Sequence, residues 1–436
     1  MIALRNISLG VLAVFLSACS TTTSDSTRPV GMGMGVSKTD VAALPLQVPA
    51  LASLVETPVR PLASQFQAVG WGALPDWQKD DLHLVWKGFI NNCKGLMRPV
   101  SGSLSMPARA TPRVWQPVCL AAQNSGISTE STDSATTQKI RHFFENHLQP
   151  WRLLDSGGNL AKNTVTGYYE PLIRASKTKH GAYQWPLYAV PNDLLTIDLG
   201  GLYPELAGKR IRGKIVEGDR VVPYDTRSEI TSQAARQPEV LVWAEDPVEA
   251  FFLQIQGSGR AVLDNGKAVR LAYGNHNGHP YSSIGKWLAD KGELPLARTS
   301  MQNIKKWAKE NPSRIHEMLN VNKAMVFFNE EVITDPVLGP KGAYGIPLIA
   351  ERSIAVDPTF VPLGTPVFLA TNYPASQQPL RKLVFAQDTG AAIKGAARTD
   401  FYWGTGDAAG AEAGRMKQNG EMWVLWPKDA GTPSAR

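Results

Sequence analysis

The stretch from Gln387 to Gly410, QDTGAAIKGAARTDFYWGTGDAAG, holds three aspartates, Asp388, Asp400 and Asp407, among glycine, alanine and aromatic residues. Acids on a solvated loop ordinarily come mixed with Lys, Ser and Asn. A carboxyl group fixed among apolar and glycyl neighbours is costly to ionise unless it is hydrogen-bonded, and that is one way a pKa is raised for proton transfer. Lys394, inside the same stretch, could bind a substrate carbonyl or pair with one of the aspartates.

Two chemistries use acids of this kind. Asp388-Thr389-Gly390 has the signature of an aspartic protease, in which two such acids share a proton at close range. The chain has a single Asp-Thr-Gly, with Gln387 where that fold wants an apolar residue and too little sequence after it for a second lobe. Carbohydrate cleavage fits better. Aromatic faces cover sugar C–H groups while amides and carboxylates take the hydroxyls, and rings cluster beside polar residues at Tyr168-Tyr169-Glu170, Tyr273 with Asn275, and Phe401-Tyr402-Trp403. Core packing is the ordinary role of any one ring. TGYYEP resists it, because two tyrosines bracketed by Gly167 and Pro171 read as a shaped loop. LQIQGSGR has the same character, with Gln254 and Gln256 expected on one face of a strand and Ser258 in a glycine turn. His276 and His279 lie close together without an acid ligand nearby, so neither a metal nor a cofactor is implied.

The elements that must position these residues change along the chain. Leu82, Val85, Phe89, Cys93 and Leu96 form one helical stripe, and residues 138–154 form another through Ile140, Phe143, Phe144 and Leu148. The middle is β-rich, with a hairpin turning at Asn265-Gly266, followed by short helices begun at Ser283 and Thr299. Toward the C-terminus AMVFFNE, ERSIAVD, TPVFLAT, KLVFAQD and MWVLWP are closely spaced strands, which suggests a compact barrel rather than a doubly wound sheet. There is no phosphate loop and no internal repeat.

The N-terminus sets an address. Arg5 precedes an apolar run from Ile7 to Ala18, too short to span a bilayer but right for a secretory signal, ending in the lipobox Leu16-Ser17-Ala18-Cys19. Cleavage before Cys19 would leave a lipidated first residue. Ser20 in second place points to an outer-membrane anchor facing the periplasm of a Gram-negative bacterium. Residues 20–61, rich in Ser, Thr, Gly and Pro, read as a flexible tether. Cys93 and Cys119 form an even pair in a compartment where disulfides persist, and a structural bridge is expected over two free thiols. The net charge of +7 suits an anionic surface or polymer, and no Lys/Arg block suggests nucleic acid.

TGYYEP, FFLQIQGSGR, YGNHNGHPYSSIG, GIPLIAERSIAVDPTFVPLGTPV and DTGAAIKGAARTDFYWGTGDAAGAEAG, in that order from Tyr168 to the C-terminal region, resemble the membrane-bound lytic murein transglycosylase A family. The last of them resembles its C-terminal three-aspartate domain. The resemblance implies a mainly β fold with α: a double-psi β-barrel from residues 62–171 and 324–436, a smaller β domain inserted at 172–323, and a substrate groove between them. It implies a peptidoglycan lytic exotransglycosylase, a carbon–oxygen lyase that needs no cofactor. Its partners would be glycan strands, the outer membrane through the anchor, and proteins of wall synthesis or division. The reaction cleaves the β-1,4 bond between N-acetylmuramic acid and N-acetylglucosamine and leaves a 1,6-anhydro sugar. The family's catalytic aspartate corresponds to Asp400 in RTDFYWGTG, with Asp388, Asp407 and Lys394 supporting it. Tyr168, Tyr169, Glu170, Gln254, Gln256, Ser258 and Phe401 would face the substrate. Two rival readings remain: a muramidase with a second carboxylate, Asp388 or Glu170, to activate water, and a non-catalytic wall-binding protein that does not depend on Asp400.

Overall fold

The structure, a computed structural model, describes residues 44–435 except 57–58, 60, 98–109, 132, 156, 204–205, 207–208, 210, 234–236 and 391. The lipobox with Cys19 and the first part of the expected tether lie outside the described residues. No helix among the described residues is long and apolar enough to cross a membrane.

The chain opens with strand β1 (Gln65–Ala68), helices α1 (Val85–Met97), α2 (Pro112–Gln123) and α3 (Ser134–His147), and strand β2 (Leu148–Leu154). Helix α1 buries Val85, Phe89, Cys93 and Leu96, the expected stripe, whereas Leu82 precedes the helix with a φ of 51°. Helix α3 is shorter than its periodicity suggests. It stops at His147, and residues 148–154 form strand β2, whose residues 151–154 pair with β1. Pro150 gives the reason, since it could not continue the helical ladder. The expected tether is also shorter. Leu46, Val48 and Leu54 pack against the main core, and α2 holds this segment from its side chains. Arg113 donates to the Leu54 carbonyl at 2.8 Å and Gln116 to that of Pro49 at 3.0 Å.

Cys93 of α1 and Cys119 of α2 are joined by a disulfide across a sequence separation of 26 residues. Both sulfurs are buried beside Phe89 and Trp115. Closing a loop of this length restricts the unfolded chain, so the Cys93→Ser/Cys119→Ser double variant is expected to lose about 2–4 kcal/mol of stability. Urea unfolding would show this as a lower midpoint with a steeper slope, because the uncrosslinked chain unfolds to a more open state.

Strand β3 (Asn163–Glu170) is the hinge of the architecture. Pro171 ends it, and β4 (Leu172–Ser176) belongs to a different sheet. That sheet has six strands, adding β5 (Trp185–Tyr188), β9 (Val240–Ala244), β10 (Gly259–Leu263), β11 (Ala268–His276) and β12 (Val326–Val332) in the order β12-β11-β10-β4-β9-β5. A bridge between Ala189 and Phe328 brings its two edges together. Beside it lie a three-stranded sheet of β6 (Leu195–Ile197), β7 (Ile211–Val216) and β8 (Arg220–Pro223), and helices α4 (Arg227–Ser232), α5 (Pro247–Gln256), α6 (Ile284–Asp290), α7 (Met301–Glu310) and α8 (Ile315–Asn320). Because β12 pairs with β11 through Val332, this sheet extends past residue 323, the end expected for an insertion. The apolar run AMVFFNE alone does not say which sheet it joins.

The chain then returns to the sheet of β3 with β13 (Ser353–Val356), β14 (Pro366–Asn372), β15 (Pro379–Asp388), β16 (Thr399–Thr405), helix α9 (Gly406–Arg415) and β17 (Lys417–Pro427). The order β17-β14-β15-β13-β16-β3 is closed by pairing of β3 with β17, so six strands of mixed direction form a barrel. Strands β2 and β1 extend it beyond β17. Strand β14 buries Pro366 to Thr371 in succession, as a strand covered on both faces must. The core of this barrel also takes up Phe89, Phe144 and Trp115 from the helices, which is how the helical N-terminus is fastened to it.

Candidate active site

Strand β16 sorts the aromatic cluster by its period of two. Phe401 and Trp403 face the barrel core, with ring centroids 5.0 Å apart, while Asp400 and Tyr402 face the other way. Phe401 is fully buried and therefore has no surface for substrate, contrary to expectation. A ring next to a catalytic acid in sequence points to the opposite side of a strand.

The register across the barrel places the acids. Ala355 of β13 is opposite Asp388 of β15 on one side and opposite Asp400 of β16 on the other, and Asp400 is in turn opposite Thr166 of β3. Directly paired residues project from the same face of a sheet. Asp388, Ala355, Asp400 and Thr166 thus form one row across four strands, and Tyr168 joins that face two residues after Thr166. Two strand spacings separate the aspartate backbones by about 9–10 Å. Ala355 places only a methyl group between them.

Asp400 is partly buried, and its Oδ1 accepts a hydrogen bond from the Thr166 hydroxyl at 2.6 Å. Its pKa is raised above the ordinary carboxyl value. Burial is the largest cause and the charge of Asp388 adds to it, while the Thr166 hydrogen bond and the nearby Arg398 oppose it. The row therefore favours a protonated Asp400. Asp388 is held differently: Oδ2 accepts from the Tyr168 hydroxyl at 3.2 Å, and Oδ1 from the backbone N–H groups of Ala343 and Thr389, each at 2.9 Å. Burial and the two aspartates keep the Tyr168 hydroxyl protonated far above its usual range, so it acts as a donor.

TGYYEP is a strand, not a loop. Gly167 explains the misleading sequence, because a Cβ there would lie 2.7 Å from both the Ala413 Cα of α9 and the Trp403 Nε1. The glycine lets β3 run directly beneath α9. Tyr169 points to the opposite face from Tyr168 and packs on Gly410, where a Cβ would lie 2.8 Å from its ring. Its backbone N–H donates to the Gln256 side chain at 3.2 Å.

Several expected substrate contacts are otherwise employed. Glu170 is fully buried and accepts from Arg260 Nε at 2.7 Å, Arg270 Nε at 2.6 Å and the Thr405 hydroxyl at 2.8 Å. It fastens the end of β3 to β10 and β11, and no oxygen is left to face water or sugar. Gln254 and Gln256 lie on helix α5 rather than a strand, and two residues on a helix differ by about 200° around its axis. Gln254 is buried and accepts from Arg227 at 2.8 Å, so only Gln256 reaches β3. Ser258 is buried at the turn from α5 into β10. Asp407 is exposed in the first turn of α9, where a carboxylate complements the helix dipole, and Lys394 is exposed on the loop before β16. Neither enters the row of Asp388 and Asp400.

Thr166, Ala355 and Arg398 are the site residues that sequence reading passed over. The strand period would have revealed Thr166, two residues before Tyr168, had TGYYEP been recognised as a strand. Replacing Thr166 with valine removes a hydrogen bond that favours the ionised acid. The pKa of Asp400 then rises further, and the alkaline limb of the kcat/KM profile is expected to move to higher pH. An unmoved or lowered limb would show that Thr166 does not tune this acid.

The chain is similar to known proteins over most of its length. Residues 164–329 match the MltA specific insert domain and residues 352–426 the 3D domain. It is 31% identical over 296 residues to membrane-bound lytic murein transglycosylase A of Escherichia coli strain K12, covering 66% of this chain and 71% of that protein. MltA from Neisseria gonorrhoeae shares its fold with a TM-score of 0.70 at 33% identity, over 88% of this chain and 99% of that one. The lytic transglycosylase LtgG of Burkholderia pseudomallei is 41% identical with a TM-score of 0.56, over 86% and 99% of the two chains. E. coli MltA with bound chitohexaose superposes with a TM-score of 0.57 at 26% identity, over 84% and 96%. The chain belongs to the family of membrane-bound lytic murein transglycosylase A.

Proposed function

We propose that this protein is a lytic transglycosylase that cleaves the β-1,4 bond between N-acetylmuramic acid and N-acetylglucosamine in peptidoglycan, with Asp400 as its single acid and base. Protonated Asp400 gives its proton to the glycosidic oxygen as the bond from that oxygen to the muramyl anomeric carbon breaks. The muramyl C6 hydroxyl oxygen then bonds to the same carbon, and its proton returns to the Asp400 carboxylate. The products are a 1,6-anhydromuramyl end and a free N-acetylglucosamine hydroxyl. No water is consumed, and the acid is regenerated.

The observation that carries this reading is a single partly buried carboxyl, raised in pKa, in a row whose other acid is already held. A hydrolase would need a second carboxylate free to activate water. Glu170 is enclosed by two arginines and a threonine, and both oxygens of Asp388 accept hydrogen bonds. Digesting purified sacculi in water labelled with heavy oxygen separates the two. The transglycosylase leaves the new muramyl ends unlabelled, whereas a muramidase places one labelled oxygen on each. The name of the relatives, membrane-bound, and the lipobox support anchorage of this chain through a lipidated Cys19, with the outer membrane facing the periplasm as the site of action.

A further inference from the structure

A cavity lies on the opposite side of α5 from β3. Its volume is about 320 Å³, within the range of small-ligand pockets. Its lining includes Arg227, Lys179 and His316 but no carboxylate. Arg227 is 5% exposed, yet it has no acidic partner among the described residues. Its Nε donates to the Asn322 carbonyl at 3.0 Å, and Nη2 to Gln254 Oε1 at 2.8 Å and the Ala324 carbonyl at 2.7 Å. These acceptors are neutral and the guanidinium lies 4.9 Å over the Phe251 ring, so no carboxylate among the described residues balances the charge, and Nη1 has no hydrogen-bond partner among them. Burial lowers the guanidinium pKa to about 10, so it remains a cation at neutral pH.

Tyr188 faces the same cavity. The residue is 1% exposed, and its hydroxyl has no hydrogen-bond partner among the described residues. Burial pushes its pKa up to about 12, so the group keeps its proton. A buried unsatisfied hydroxyl and an unpaired buried cation are both costly, and one ligand oxygen pair would satisfy both. Trp185, Trp243 and Phe251 supply flat apolar walls, and Lys179 stacks over Trp243 at 5.2 Å. A cation in a fork geometry beside apolar walls suits a carboxylate carried on a small alkyl group.

We infer that this cavity binds the terminal carboxylate of a short peptide, and that the peptide is the stem carried by the glycan strand. The inference rests on peptidoglycan being the substrate. Helix α5 connects the two sites, with Gln254 holding Arg227 on one side and Gln256 holding the backbone of Tyr169 on the other. The helix is about 10–12 Å across with its side chains. An extended stem of four or five residues spans about 13–18 Å, longer than the width of the helix that separates the cavity from β3.

The test is calorimetric titration of the mature Asp400→Asn protein, which does not cut, with N-acetyl-D-alanyl-D-alanine, its C-terminal amide and its L,L isomer. The expected result is saturable binding of the D,D acid, no binding of the amide, and a weaker L,L acid. Arg227→Gln should weaken the D,D acid by roughly tenfold or more. Tyr188→Phe, which leaves the fold's hydrogen bonds intact, should weaken it by about two- to tenfold. Equal binding of acid and amide, or binding unchanged in both variants, overturns the carboxylate site. Equal binding of the L,L acid overturns the stem as its source and points to protein termini. Heavy-oxygen labelling of sacculus products reports the reaction separately, so the site can fail while the transglycosylase reading stands, and the reverse.

Discussion

Asp400→Asn is expected to lower the rate of anhydromuropeptide formation by about 10²–10⁴-fold, the contribution of a positioned general acid. The asparagine has the shape of the acid and can accept from Thr166 as Asp400 does. What it lacks is the proton for the leaving oxygen and the base for the C6 hydroxyl. The fold should survive the change. An aspartate whose folded pKa is raised is stabilising only while protonated. Its advantage is complete below the unfolded pKa and is lost as pH rises through the folded value. Above the folded value the ionised carboxylate in its dry site costs stability, so the asparagine variant should melt at the same temperature or higher. Loss of activity together with a lower Tm would mean that Asp400 is structural.

Glu170→Ala should do the opposite. The carboxylate is fully buried and is the shared partner of Arg260 and Arg270, which both also donate to the Leu338 carbonyl. Removing it leaves two buried guanidinium groups with no acid, and breaking a buried pair from one side costs about 3–5 kcal/mol. Because the two arginines belong to β10 and β11 and the glutamate to β3, this cluster joins the two sheets at the point where the chain crosses between them. The predicted result is a large loss in unfolding free energy by urea titration. Glu170→Gln, which keeps the shape, should retain most of the activity per folded molecule. Activity abolished in a fully folded Glu170→Gln protein would instead favour a muramidase that uses this carboxylate.

The contrast between the two acids shows what the sequence could and could not reveal. Both lie beside aromatic residues, and from composition either could be catalytic. Their separation depends on register, which no local pattern specifies: Asp400 joins the row with Asp388 because β16 pairs with β3 and β13 at that residue. The barrel strands, the disulfide-bearing helix and the 265–266 hairpin were legible because each has a strong local period or turn signal. Strand β3 was not, since the glycine that makes room for α9 disguises it as a loop. Helix α9 was also missed, its run of Gly and Ala giving no apolar stripe. Gln254 interrupts and Gln256 follows the apolar segment Ala250–Ile255, a length that a short helix and a strand share equally well. The N-cap Asp246, which accepts from Val248 and Glu249, was the signal for the helix.

The most direct test is mass spectrometry of purified sacculi digested side by side by the mature protein and by its Asp400→Asn variant. Anhydromuropeptides from the native protein alone are predicted, with the variant folded and silent. Hydrated, reducible products from the native protein, or anhydro products from the variant at a comparable rate, would contradict a single-aspartate transglycosylase centred on Asp400.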